Sequence, residues 1–251
     1  MHRRRVQHSQ AALTLPPGIS AAQAGDMTET GTIVVVGAGP GIGASVAERF
    51  ARAGYAAGLV ARNGERLEQQ AAELGARTGA RVATAVADAT DAAQVRRAVA
   101  SLAAELGTPT VLCFSPIPDI GLIKPVLETR PEELIASLQL NVGGAAAAVE
   151  GVLPGMLERG RGTLLFTTGS AALHPDPARA ASAVTTTAAT AYLSLLRQAL
   201  DGTGVRVGHT VVVGPIDRER PDAHHPDDVA TDLWAHHEGN PTGLPSVLRL
   251  G

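Results

Sequence analysis

The stretch Thr32 to Gly43, reading TIVVVGAGPGIG, constrains this chain more than any other, because a buried-strand run passes directly into a glycine turn and then into an amphipathic helix. Ile33, Val34, Val35 and Val36 are β-branched and suit a parallel strand covered on both faces. Gly37, Gly41 and Gly43 let the backbone turn tightly, approach a diphosphate and pack the next helix against the sheet. Ile42, Val46 and Phe50 recur at helical spacing, so the unpaired N–H groups of that helix's first turn face the glycines. Strand, loop and helix in this order predict a phosphate cradle; a glycine-rich turn without a ligand is the plainer alternative.

The rest of the chain repeats the alternation. Strands are predicted at Ala57 to Ala61, Arg81 to Ala87, Val111 to Phe114, Thr163 to Thr167, Val205 to Val213 and Ser246 to Leu250. Between them, helices are predicted from Asn63 as cap to about Thr78, from Asp91 as cap over Ala92 to Leu106, from Pro131 to about Glu150 with a break near Pro154, over Ala180 to Leu200, and over Asp227 to His237. Strands alternating with helices predict an α/β chain of one domain built on a doubly wound, Rossmann-like parallel sheet. At 251 residues and 45% hydrophobic content the chain can bury one full core. A formal charge of -3 gives no electrostatic footprint for nucleic acid or an acidic membrane, so a small-molecule substrate is the expected partner. No transmembrane run is read from the sequence. Cys113, the one cysteine, sits in an apolar run and excludes an internal disulfide framework, which allows a cytoplasmic setting.

The spacing G-x-x-x-G-x-G resembles that of the short-chain dehydrogenase/reductase family, and the likeness runs from Thr32 almost to the C-terminus. Relatives begin near Met27, so residues 1 to 26 are expected to be a disordered extension and residues 27 to 251 the domain. Arg3, Arg4 and Arg5 followed by an apolar stretch imitate a signal peptide, but Pro16, Pro17 and Gly18 interrupt it. The resemblance implies a nucleotide held at the C-terminal ends of the strands. NAD-selective relatives place an acid after the second strand, where this chain has Arg62 and Asn63; an arginine without that acid suits a 2′-phosphate, so NADP is the expected cofactor. Asp88 with Ala89 matches the adenine contact, Asp88 having turn capping as its alternative role. Ser115 replaces part of the family's N-N-A-G, in a run that reads Phe114, Ser115, Pro116, Ile117, and Gly214, Pro215 and Ile216 stand where relatives meet the nicotinamide carboxamide.

The family's Tyr-x-x-x-Lys pair, whose lysine lowers the tyrosine pKa for proton transfer, is missing. Alignment puts Ser182 and Thr186 at those positions, or Ala183 and Thr187 one residue on, and neither register restores an acid or a cation. Asn141 matches the family asparagine, whereas the serine position falls on Gly169 with Ser170 beside it. Tyr192 lies past the motif at packing intervals and reads as structural. His174 is a further candidate acid, with a surface-loop role as its alternative. The pairs His224 with His225 and His236 with His237 lack the spacing of a metal site, so none is expected. Two functions follow: an NADP-dependent oxidoreductase of a carbonyl or alcohol with a non-standard proton donor among water, His174, Ser170, Ser182 and Thr186, or a protein that kept the fold and left redox chemistry as a cyclase, dehydratase, isomerase or silent partner subunit. With one tryptophan (Trp234), two tyrosines and three phenylalanines, a stacked aromatic pocket is not expected. The resemblance also implies a homodimer or homotetramer pairing through the helices at Pro131 to Glu150 and Ala180 to Leu200.

Overall fold

A computed structural model describes residues 30–240 and 245–250, so the expectation for residues 1 to 26 lies outside the described residues. Seven parallel strands form one sheet: β1 (Gly31–Val36), β2 (Tyr55–Ala61), β3 (Val82–Val86), β4 (Val111–Phe114), β5 (Gly162–Gly169), β6 (Val205–Val213) and β7 (Ser246–Arg249), in the order β3-β2-β1-β4-β5-β6-β7. The order reverses between β1 and β4, which opens a crevice at their C-terminal ends where ligands of such sheets bind.

Helices cover both faces because the strands are apolar on both. On one side α1 (Ile42–Arg52), α2 (Gly64–Thr78) and α7 (Pro226–Glu238) join Val35, Leu59, Leu165 and Val212 in one core. On the other, α3 (Ala92–Leu106), α5 (Ala145–Glu158) and α6 (Ala180–Ala199) pack with Val34, Val60, Phe166 and Val207. The short helix α4 (Pro131–Leu138) leads into α5 through a π-helical turn, Gln139–Gly144.

The caps act as predicted: Asn63 Oδ1 accepts from the Arg66 N–H at 3.0 Å, and Asp91 Oδ1 accepts from the N–H groups of Ala93 and Gln94. One expectation fails at Pro154, which sits inside α5 rather than breaking it. Pro154 is on the exposed side, as is Glu150, whose carbonyl loses its partner to the missing N–H, so that carbonyl is left beside solvent and the helix continues to Glu158. The run Pro131–Glu158 is also long and apolar enough to span a bilayer by length and composition, which the sequence reading passed over. Here its Ala147, Ala148, Val152 and Met156 are buried over the sheet, the role of a core helix.

Candidate active site

The glycine loop between β1 and α1 is shaped by what surrounds it. Gly37 adopts φ +94° and its missing Cβ would stand 2.6 Å from the Pro116 backbone; a Cβ on Gly43 would stand 2.3 Å from the Gly37 carbonyl oxygen. At Gly41 the outcome is opposite, because a Cβ there would meet nothing within 4 Å. No side chain caps α1. An open floor under an uncapped helix start fits a bound diphosphate, since the first-turn N–H groups and the helix dipole both favour an anion.

Two adjoining cavities open from this loop, of about 380 Å³ and about 280 Å³. Gly37, Gly39, Pro116, Ile117, Ser137 and Asn141 line both. The smaller reaches Arg62, Asp88 and Ala89, so three predicted cofactor contacts share one wall. Asp88 Oδ1 accepts from the N–H and the hydroxyl of Thr90, so it holds its own turn as well as facing the cavity. Asn63 lines neither cavity; its side-chain oxygen is engaged as the cap of α2.

The larger cavity is lined by Gly41, Ile42, Gly43, Ser115, Asn141, Ser182, Thr186, Gly214 and Ile216 among the predicted residues. Pro215 is absent from its lining, because the Pro215 carbonyl accepts from the His224 N–H at 2.9 Å and closes residues 215–224 into a self-paired loop. Arg218 clamps that loop onto the cradle, donating to the Pro40 carbonyl and, at 2.6 Å, to Ser45 Oγ, while Ser45 donates to Asp227. Between Gly214 and α7 no helix forms.

Of the two alignment registers, Ser182 and Thr186 both face the cavity, whereas Thr187 is exposed. Thr186 donates its hydroxyl hydrogen to the Ser182 carbonyl at 2.7 Å and has only lone pairs left to offer. Asn141, in the π-helical turn, donates through Nδ2 to the Ser137 carbonyl and to Thr185 Oγ1 at 3.2 Å. Ser170 and His174 are not brought to the cavity. A 3₁₀ turn at Ser170–Ala172 follows β5, with the Leu173 and His174 N–H groups donating to the Ser170 carbonyl, and this carries His174 to the exposed surface.

Tyr192 lines neither cavity and packs half-buried against the core, which pushes its phenol up. The histidine pairs serve the fold: His237 meets the Tyr55 hydroxyl and Thr163, His236 meets Ser246, and His224 meets the Val213 carbonyl. Among the described residues no group of three or more His, Cys, Asp or Glu could hold a metal.

In the run that stands where the family has N-N-A-G, Phe114 fills the space under the π-helical turn, its ring centroid 6.4 Å from that of Phe166 and its tip against Gly144. Ser115 Oγ lies 2.6 Å from Thr167 Oγ1, so a hydroxyl pair ties β4 to β5. Sequence reasoning missed Thr167, Thr168 and Thr185, all of which line the larger cavity. Their signal was position: the first two lie near the end of β5, which runs to Gly169, two residues beyond its predicted limit, and residues at strand C-termini are the ones that meet ligand.

Sheet order, switch-point crevice and glycine cradle together define a dinucleotide-binding α/β protein. The family model for short chain dehydrogenases matches residues 31–223, and the chain belongs to that family. It is 35% identical over 182 residues to 1-deoxy-11-beta-hydroxypentalenate dehydrogenase of Streptomyces exfoliatus, covering 71% of this chain and 65% of that one. The chain spans about half to two thirds of the length of the curated relatives it matches. Among solved structures it is similar to an alcohol dehydrogenase of Thermococcus sibiricus complexed with 5-hydroxy-NADP, at a TM-score of 0.77 and 23% identity over 88% of this chain and 95% of that one. It is also similar to an NADPH-bound short chain oxidoreductase of Pseudomonas aeruginosa PAO1 described as containing an atypical catalytic center, at a TM-score of 0.70 and 26% identity over 74% of this chain and 72% of that one.

Proposed function

We propose that this chain is an NADP-dependent oxidoreductase acting on a small carbonyl compound or alcohol, with water reaching the reacting oxygen where relatives use a tyrosine. The observation that carries this reading is the open, uncapped cradle at Gly41 continuous with a cavity lined by hydroxyl and amide groups. Gly37, Gly41, Ile42 and Gly43 would hold the diphosphate, Arg62 the 2′-phosphate and Asp88 with Ala89 the adenine. Asn141, Thr186, Gly214 and Ile216 would border the nicotinamide ribose and ring. When bound, NADPH supplies a hydride to the substrate carbon.

The chain's own task is then to orient the carbonyl and to let a proton reach its oxygen. Of the proposed donors, Ser170 and His174 lie off the cavity and the Thr186 hydrogen is engaged, which leaves Ser182 and water. A serine hydroxyl is a far weaker acid than a phenol with its ordinary pKa of about 10, so turnover is slow: loss of a positioned acid lowers rate by roughly 10² to 10⁴. That an oxidoreductase with an atypical catalytic center is similar in structure and is NADPH-bound supports a redox role for a site that departs from the family pattern. Ile135, Val184 and Leu195 leave apolar surface on α4 and α6, which supports a homodimer or homotetramer. Cys113, buried in β4 with its thiol pushed up to about 12 by that burial, suits a cytoplasmic protein.

The test is calorimetry with NADPH followed by absorbance at the reduced nicotinamide band with a panel of aldehydes and ketones. Binding with substrate-dependent NADPH loss is expected. Substrate conversion without cofactor turnover gives the non-redox reading instead, and no NADPH binding overturns both.

A further inference from the structure

The two-residue period of the strands sorts the hydroxyls at the end of β5. Leu164 and Phe166 lie in the core shared with Leu193 and Leu200 at α6, so Thr168 falls on the α6 side, the side of Ser182, Thr186 and Asn141. On β6, Val205 and Val207 belong to that same core, and His209 is the next residue in phase. Thr168 Oγ1 lies 2.8 Å from His209 Nε2. Thr168 lines the larger cavity, while His209 is 1% exposed.

A threonine with a free hydroxyl hydrogen can donate to a substrate oxygen, whereas one whose hydrogen is taken by a ring nitrogen can only accept. Which case holds depends on the hydrogen at His209 Nε2. Burial, helped by the charges of Arg197 and His236, pushes the imidazole down to about 4. The ring is therefore neutral near pH 7, with one hydrogen and no net charge to deliver. Ser115 and Thr167, by contrast, engage each other across β4 and β5.

Resting on the oxidoreductase reading, we propose that Thr168 is the hydroxyl that donates to the substrate's reacting oxygen, and that His209, with its Nε2–H directed at Thr168 Oγ1, is the buried residue that positions it. Gly169, where the family's serine is missing, is adjacent in the chain. No proton is transferred from His209; it fixes the direction of another group's hydrogen, and the proton gained by the oxygen comes from water. A donor already aimed at the site of developing charge needs no reorganisation during reaction.

Two measurements test this. Nitrogen-15 NMR of the imidazole in the full chain is expected to find the hydrogen on Nε2, and the Nδ1–H tautomer would overturn the proposal. In steady-state kinetics with the aldehyde and ketone panel, Thr168→Val should lower kcat on the order of 10²-fold with NADPH affinity unchanged, and Thr168→Ser should restore it to within about 3-fold. His209→Gln, which keeps an N–H donor, should retain more kcat than His209→Leu. Wild-type kcat in Thr168→Val sinks the inference and leaves the oxidoreductase reading standing. A wild type that binds NADPH and oxidises it with no member of the panel sinks both.

Discussion

The two halves of the crevice are built on different principles. After β1 the site is made of backbone: glycines whose Cβ atoms would collide or would project into open space, and a helix end without a cap. Around β5, β6 and α6 it is made of hydroxyls and one amide, each held by a neighbour that lies many residues away or one helical turn back. The glycine cradle can be changed only by altering the main chain's room; the β5 and α6 side can lose its usual acid and keep its shape.

Glycine substitutions give the largest expected contrast. Gly43→Val drives a side chain into the Gly37 carbonyl and should destabilise the fold by about 3 kcal/mol, seen as a lower melting temperature. Gly41→Asp should lower the melting temperature less than Gly43→Val, since the space is open although φ -88° with ψ -124° is a backbone that suits glycine, and should lose NADPH binding by at least about 100-fold because a carboxylate occupies the diphosphate floor. Equal melting losses in both would break the comparison.

The second contrast is in pH. The β6 side holds His209, lowered from 6.5 to about 4, and His236, also lowered, chiefly by burial. The unfolded chain takes up protons near pH 6.5 that these folded imidazoles refuse, so stability falls as pH drops below about 6.5 and levels off below about 4. For His209 alone the loss is about 3 kcal/mol. Denaturant midpoints measured from pH 7 to pH 4.5 should show this decline, and His209→Gln should flatten it; a slope unchanged in that variant would remove His209 as its source. The smallest expected effect is at Arg62, exposed at the edge of the smaller cavity: Arg62→Ala should weaken NADPH by about 10-fold and leave NADH unchanged in calorimetry.

The same contrast explains what could be read from the chain. Glycine spacing, strand runs and the caps Asn63 and Asp91 are local signals, and they located the cradle and the element order, while alignment with the family pointed to Ser182 and Thr186, two of the residues of α6 that line the larger cavity. Three things escaped because they depend on partners distant in sequence or on which way a short turn leaves a strand. Thr168 owes its place to a strand end two residues longer than predicted and to His209 on the adjacent strand. Ser170 and His174 have suitable chemistry but follow a 3₁₀ turn away from the cavity. Pro154, a helix breaker by type, is tolerated because the carbonyl it orphans is on the wet side.

The self-paired loop at residues 215–224, pinned by Arg218, carries no helix to fold over the larger cavity. Enzymes that close a flap before reacting often wait on its reopening, and their turnover then reports a hinge. A molecule with its gateway fixed ajar has no such wait. In the proposed oxidoreductase, small alcohols and ketones would come and go at the pace of diffusion, and the bond-making step would limit each cycle.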